Sequence, residues 1–484
     1  MITRCRVWLR LHLHSSLMSI KETILGVSPL KFFIVTSLIF GTTFLLIIPP
    51  FQGGDEPLHF YRAYQISQSN LMVDKNIGND YGGLLPSSLQ ETVALTTNNS
   101  SLGNLQINEK YRIRTTKQAL LIKEKPTDTQ WTNFTATALY PPIAYAPQAS
   151  GVLVARTLKM PPILMLYFGR FANLLAWIIL IAISIKLIPF KKWAIVFVGL
   201  LPVALSQASS LSADVMTIGL FAVFLSAIFY LIDRDKLISK FELTNLVVLM
   251  SAIALCKQIM IVVLPLIFLI PRRLFMSKKS SYIWKILLII IPLIVYALWI
   301  YVIKNVDLKS VFSHNQNPAL QIQFMIYHPL RFIKVIWDTF FFSQGDAITH
   351  SFIGTFGWGD VKLSEAFIVL GYTGLFLVLV MNPYARAKDI ISNHQRTIAL
   401  IVFAAYGLAV SAALYAYYNP VASKVINGLQ GRYFLPLALI AIPILNSTWM
   451  KSSKLAYKNI AIFVPIILLV ASTITIYFRY YVQG

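Results

Sequence analysis

LTNLVVLMSAIALCKQIMIVVLPLIFLI, Leu243 to Ile270, is an apolar run interrupted by Lys257 and Gln258, and its reading decides how the chain is threaded. As one long helix it would put the next loop, PRRLFMSKKSSYIWK, on the outside, against the tendency of basic loops to stay inside. As two short helices with Lys257 at an outer turn, it returns the chain and keeps that loop inside. Each arm of about 13 residues rises roughly 20 Å, short of the usual ~30 Å core. The hairpin must therefore be shielded by neighbours or thin the bilayer locally.

Composition supports a membrane reading throughout. Hydrophobic residues make up 57% of the chain and charged residues only 13%, with many apolar runs near the spanning length. The chain is an all-α polytopic membrane protein. Lys and Arg number 42 against 19 Asp and Glu, but the excess lies in short loops between spans, and no zinc-finger or RNA-binding signature accompanies it. Nucleic acid is thereby excluded as a partner. Cys5 and Cys256 lie far apart, with no metal-ligand spacing, so no disulfide framework or zinc site is expected. P-loop, GxGxxG, HExxH, GxSxG and CxxC patterns are absent.

Working outward from the hairpin, about eleven crossings are expected. Residues 1–31 form a basic cytoplasmic segment, with Met1 or Met18 as the start and no cleavage pattern of a signal peptide. Residues 32–484 form a single membrane domain. Phe32 to Ile48 is the first span, and residues 50–162 make a long outer loop whose Gly-, Asn- and Thr-rich middle reads as irregular. The loop ends in ALYPPIAYAPQASGVLVARTL, whose prolines suit a half-buried outer helix better than a crossing. Spans follow at Ile163 to Ile188, Trp193 to Ala208 and Met216 to Ile232, then the hairpin, then Ile283 to Ile303. Residues 304–362 make a second outer loop with an aromatic-rich interfacial part. Four more spans run from Glu365 to Val380, Thr397 to Tyr417, Tyr433 to Trp449 and Asn459 to Tyr477. Loops near Lys191, Lys236, Arg273, Lys388 and Lys451 fall inside, and those holding Asp55, His314 and Asn427 outside.

The first outer loop opens with PPFQGGDEPLHFYRAYQ, Pro49 to Gln65. Pro57 suits a first helical turn, so Leu58 to Gln68 reads as a helix with Asp55 and Glu56 at its N-terminal end, where the helix dipole favours ionised carboxylates. Phe60, Tyr61 and Tyr64 recur at helical spacing and place that helix along the bilayer face. Arg170 and Asn173 lie three residues apart on one face of a span, and an arginine there meets an anion or an aqueous cavity. By topology Asp55, Glu56, Arg170, Asp214, Lys257, Asp360 and Arg432 all fall at or near the outer side. Acids and cations gathered at one face suit a site that activates a nucleophile and binds a phosphate at membrane depth. The plainer readings are a charged helix cap for Asp55, Glu56 and Asp214, snorkelling for Arg170 and Arg432, and packing for His59.

The segments PPFQGGDEPLHFYRAYQ, YPPIAYAPQASGVLVAR, YFGRFANLL, SSLSADV, the Lys257 segment, GTFGWGD and LQGRYFLPL occur in an order that resembles the bacterial membrane family called domain of unknown function 2142, which belongs with the GT-C glycosyltransferases. The resemblance covers nearly the whole chain from about residue 32. It implies a GT-C-like architecture with interfacial helices in both outer loops, in the bacterial plasma membrane. It further implies transfer of a sugar from a polyprenyl-phosphate carrier to an extracytoplasmic cell-envelope glycan, a cell-wall polysaccharide or teichoic acid. Asp55 and Glu56 match the family's acidic motif by position, although DE replaces DxD, which leaves a divalent cation open. Asp55 is then the expected base, with Glu56 second. The substrate-binding candidates are His59, Arg62, Tyr140, Arg170, Asn173, Asp214, Lys257, Trp358, Asp360, Arg432 and Tyr433. The alternative is a non-catalytic, flippase-like protein that binds or moves lipid-linked glycans. It would use the cations without needing the acidic pair.

Overall fold

The structure is a computed structural model that describes residues 24–76, 80–97, 110–304, 316–383, 391–446 and 452–483. Met18, Cys5 and the loop positions His314, Lys388 and Lys451 lie outside the described residues.

Helix α1 (Pro29–Ile47) leads into the turn that carries Asp55, and α2 (Glu56–Ser67) follows with Pro57 in its first turn, where a missing N–H costs nothing. Part of the Gly-, Asn- and Thr-rich middle of the first outer loop, residues 77–79 and 98–109, lies outside the described residues, and the described remainder is folded rather than irregular. Strands β1 (Asp74–Lys75), β2 (Tyr81–Pro86) and β3 (Thr129–Asn133) form an antiparallel sheet in the order β1-β2-β3, with Leu84 paired to Trp131. Between β2 and β3 lie α3 (Ser87–Thr96) and α4 (Ile113–Ala119). Helix α5 (Ala146–Thr157), of 12 residues, is too short to cross, as the prolines suggested. The aromatic residues of α2 correct an expectation. Phe60, Tyr61 and Tyr64 do not face lipid but are buried with Phe51, Leu85, Val152, Ile163 and Leu211, so this helix is the core of the outer subdomain.

The membrane part continues with α6 (Pro162–Leu187), α7 (Lys192–Gly199), α8 (Pro202–Ala208), α9 (Asp214–Ile232), α10 (Lys240–Cys256), α11 (Lys278–Val302), α12 (Pro318–Tyr327), α13 (Pro329–Asp338), α14 (Gly345–Ile353), α15 (Glu365–Val380), α16 (Asn393–Tyr418), α17 (Leu435–Leu445) and α18 (Lys454–Tyr477). Of these and α1, six described helices are long and apolar enough to cross a bilayer: α1, α6, α9, α11, α16 and α18. The remaining expected crossings are shorter or interrupted, so the count of eleven is met at full length by six. Trp193 to Ala208, for example, is split between α7 and α8 because Pro202 cannot donate to the helix ladder. The Trp177 indole N–H bonds the Gly199 carbonyl at that break, at 3.1 Å.

At Lys257 the backbone is extended, with φ −156° and ψ 127°, and the second arm Gln258–Leu269 is a 3₁₀ helix. The run therefore folds as two arms. The Ile238 N–H donates to the Leu274 carbonyl at 2.9 Å, and Arg273 donates to the carbonyls of Ile232 and Arg234. Start and finish of the hairpin thus meet at one end, with Lys257 at the other. Its short return arm also has an explanation. A 3₁₀ helix climbs ~2.0 Å per residue, so 12 residues reach about 24 Å, close to about 25 Å for the 17 residues of α10 at 1.5 Å each.

The basic end of the bundle is built by capping. Helices α10, α11, α16 and α18 all begin there on serine N-caps, Ser239, Ser277, Ser392 and Ser453, and two of these complete capping boxes with Glu242 and Gln395. Cations close the helices that finish there: Lys191 bonds the Leu379 carbonyl in the last turn of α15 at 2.9 Å, and Arg396 bonds the Asn446 carbonyl at 2.6 Å after α17. In the second outer loop, α13 exposes Leu330, Ile333 and Trp337 on one side while burying Phe332 and Val335, the two-faced pattern of an interfacial helix.

Candidate functional site

The end opposite the basic one holds almost every candidate residue. Its entry is the turn Gly53-Gly54-Asp55, in which the Glu56 N–H bonds the Gly53 carbonyl at 3.1 Å and Asp55 is left-handed, at φ 59°. Aspartate tolerates that conformation better than most residues. Asp55 is exposed at the N-cap, and its carboxylate makes no hydrogen bond or ion pair among the described residues.

Glu56, one residue on, is in the opposite situation. It is 1% exposed and receives Arg170 in a two-pronged contact, Nε to Oε1 at 2.8 Å and Nη2 to Oε2 at 2.6 Å. The Leu211 and Gly53 N–H groups complete its shell at 3.2 and 3.3 Å. Arg170 spends its other donors on the carbonyls of Leu45, Ile48 and Pro49. Arg170 does meet an anion, as expected of an intramembrane arginine, but the anion is Glu56, and no face of the guanidinium is left for a carrier phosphate. The same shell decides the fit of a divalent ion. With both Glu56 oxygens engaged, Asp55 and Glu56 do not form a two-carboxylate ligand set.

Asn173, on the same face of α6, donates to the carbonyls of Ser210 and Ser212 at 2.7 and 3.2 Å. It thereby shapes the turn SQASSLSAD that presents Asp214. There the ionic core of the site forms. Lys257 Nζ lies 3.0 Å from Asp214 Oδ1, and Arg432 Nε lies 3.8 Å from Oδ2. Two cations thus share one carboxylate. Tyr433 supports both from below, with its ring centre 4.6 Å from the ammonium and 5.5 Å from the guanidinium. Arg432 Nη1 donates to Gln207 Oε1 at 2.9 Å, whereas its Nε has no hydrogen-bond partner among the described residues. All three charged side chains keep a partly open edge, with exposures of 24% for Lys257 and 14% for Asp214 and Arg432.

His59 and Tyr140 border this core. His59 Nδ1 is 2.6 Å from the Tyr145 hydroxyl, and Tyr140 packs edge-on against Tyr145. Burial holds the His59 imidazole below its ordinary value, with Arg432 acting in the same sense and Asp55 pulling the other way. The ring is therefore neutral at pH 7 while still lying within electrostatic reach of Asp55.

The GTFGWGD segment braces the site rather than lining its ionic core. Trp358 donates its indole N–H to the Phe51 carbonyl at 3.3 Å, and Asp360 pairs with Arg479 at 2.9 Å. Gly357, at φ 65°, has no room for a side chain, since an added Cβ would fall 2.4 Å from the Tyr480 hydroxyl. Arg62 belongs elsewhere: it is buried, bonding Gln65 and the Leu71 carbonyl inside the outer subdomain.

Four partners escaped the sequence reading. Gln207 is the one with a visible signal, a polar residue at the end of an apolar run. Tyr145, Tyr406 (hydroxyl to the Tyr433 carbonyl, 3.1 Å) and Arg479 had none beyond residue type.

No curated protein and no solved structure matches the chain at a significant level. The sequence model of a family described as "Predicted membrane protein (DUF2142)" matches residues 38–441. With that match over most of its length, the chain belongs to the DUF2142 family of predicted membrane proteins.

Proposed function

We propose that this protein is a GT-C-type glycosyltransferase that moves a sugar from a polyprenyl-phosphate carrier to a cell-envelope glycan on the extracytoplasmic face of the bacterial plasma membrane. The observation that carries the reading is a contrast at one end of the bundle: an exposed Asp55 carboxylate with no ion pair among the described residues, and two cations whose one ion-paired carboxylate there is Asp214. A lipid-linked sugar phosphate is already activated. Its transfer needs a base for the acceptor hydroxyl and positive charge for the departing phosphate.

In this mechanism Asp55 takes the acceptor proton as the hydroxyl oxygen attacks the anomeric carbon. The bond from that carbon to the phosphate oxygen breaks, and the electron pair leaves on the phosphate. Lys257 and the partly exposed guanidinium of Arg432 receive that charge. One displacement inverts the anomeric configuration. Tyr140 and the His59–Tyr145 pair border the ionic core, and Glu56, Arg170 and Asn173 hold the two turns in register.

The test is transfer of labelled sugar from purified polyprenyl-phosphate donors to cell-wall fractions, with Asp55→Asn compared at equal membrane abundance. Asparagine keeps the size and the tolerance for a left-handed backbone but removes the charge. Loss of a general base lowers the rate by about two to four orders of magnitude. Near-normal transfer by Asp55→Asn removes it as the base. Binding of the carrier lipid without turnover under any donor supports the flippase-like alternative.

A further inference from the structure

The opposite, basic end of the bundle holds a cavity of about 650 Å³ between the return arm of the hairpin, α11 and the start of α16. Arg272, Arg273 and Lys285 are the cations of its lining, beside neutral polar groups such as Tyr282 and Gln395, and no carboxylate among the described residues lines it. The three cations are not equally satisfied. Arg273 is paired with Asp235 and bonds two backbone carbonyls. Among the described residues Arg272 bonds only the Tyr282 hydroxyl, and Lys285, 6% exposed, bonds only the Ile270 carbonyl while lying between the rings of Phe268 and Phe275. Among the described residues this buried ammonium thus meets one carbonyl and no counter-charge, a costly state at membrane depth.

The surroundings say what form that counter-charge takes. Phe268, Tyr282, Ile283 and Ile286 beside the cavity are exposed, so its mouth opens onto the lipid-facing side of the bundle rather than onto water alone. Basic pockets between membrane helices at such a level are suited to lipid phosphates. We propose that this cavity binds the phosphate head group of an anionic lipid, with Lys285 and Arg272 as the phosphate ligands and the acyl chains running along α11 past Ile283 and Ile286. The site is separate from the Asp55 end and does not depend on the transfer reading.

The experiment uses the full chain in phosphatidylcholine nanodiscs, titrated with phosphatidylglycerol and read by native mass spectrometry, with inorganic phosphate in a parallel thermal-shift arm. Phosphatidylglycerol is expected to be retained over phosphatidylcholine. Lys285→Met and the exposed Arg272→Gln should each weaken it about fivefold, while Lys285→Arg keeps it. Lys278→Gln, an exposed cation at the same end but outside the cavity, should change it less than twofold. Arg272→Gln keeps the test sharp if Lys285→Met folds poorly. Undiminished retention in Arg272→Gln, or an equal loss in Lys278→Gln, overturns the site. Inorganic phosphate reproducing the whole thermal shift assigns the cavity to a free anion and overturns the lipid.

Discussion

Two ion-pair regions at the same end of the bundle differ in how far they are closed. Around Glu56 and Arg170 every charged atom is met by the protein itself, both side chains being almost wholly buried. Around Asp214, Lys257 and Arg432, two cations share one carboxylate, a guanidinium N–H lacks a hydrogen-bond partner among the described residues, and the side chains stay partly exposed. The first arrangement fixes the relative positions of α1, α2 and α6, and the second retains the capacity to bind something else. Adjacent acids, Asp55 and Glu56, are divided between these tasks.

Removing one partner from the closed pair should have the largest effect. Arg170→Met leaves a buried carboxylate uncompensated and is expected to cost about 3–5 kcal/mol. Thermal denaturation in detergent should show a large loss, partly restored in Glu56→Gln/Arg170→Met. An unchanged melting temperature in Arg170→Met would erase the distinction between the regions.

The open region should respond less in stability and more in binding. Lys257→Met leaves Asp214 with Arg432 as its remaining partner, so a stability loss of about 1–3 kcal/mol is expected. Affinity for polyprenyl phosphate, measured by intrinsic fluorescence, should fall about tenfold, as for loss of one charge-assisted contact. A stability loss as large as that of Arg170→Met would class Lys257 with the closed pair.

His59 refines the comparison through pH. Its folded-state pKa is lowered, so the folded protein binds fewer protons than the unfolded chain as the pH falls past the ordinary imidazole value near 6.5. The stabilisation is present above that value and is lost as pH falls through the lowered one. Melting temperature should therefore decline below pH 6.5, and His59→Gln should flatten that part of the curve. An identical slope in the variant would exclude the imidazole as its source.

The smallest expected effect is that of Asp55→Asn on stability, within about 0.5 kcal/mol, since the carboxylate is exposed and unpaired. A loss above 1 kcal/mol would show that Asp55 belongs with Glu56 as a structural residue.

Much of this arrangement was legible in the chain itself. Loop charge called for a turn at Lys257, and the turn is there. Of the singled-out charges, Asp214, Lys257 and Arg432 meet in one ionic core, with Asp55 and Glu56 at the same end of the bundle. What could not be read was which neighbour each charge faces. Asp55 and Glu56 differ because consecutive residues at a helix start point in different directions, and only the fold reveals that Arg170 waits on one side. The aromatic residues of α2 had the spacing of a membrane-facing stripe, but spacing does not distinguish lipid from a protein partner. Pairing across the sheet in the outer loop joins strands separated by a long insertion, and local polarity masked it.

The hairpin also bears on biogenesis. A lysine in the middle of a helix costs about 2.5–3.5 kcal/mol at membrane insertion, and here it rides at the tip between two arms whose ends are tied together by the Ile238–Leu274 hydrogen bond. Asp214 is synthesised before Lys257. By the time the lysine emerges from the ribosome, the carboxylate that receives it is already at the start of α9, so the order of translation matches the order in which the charges must be neutralised.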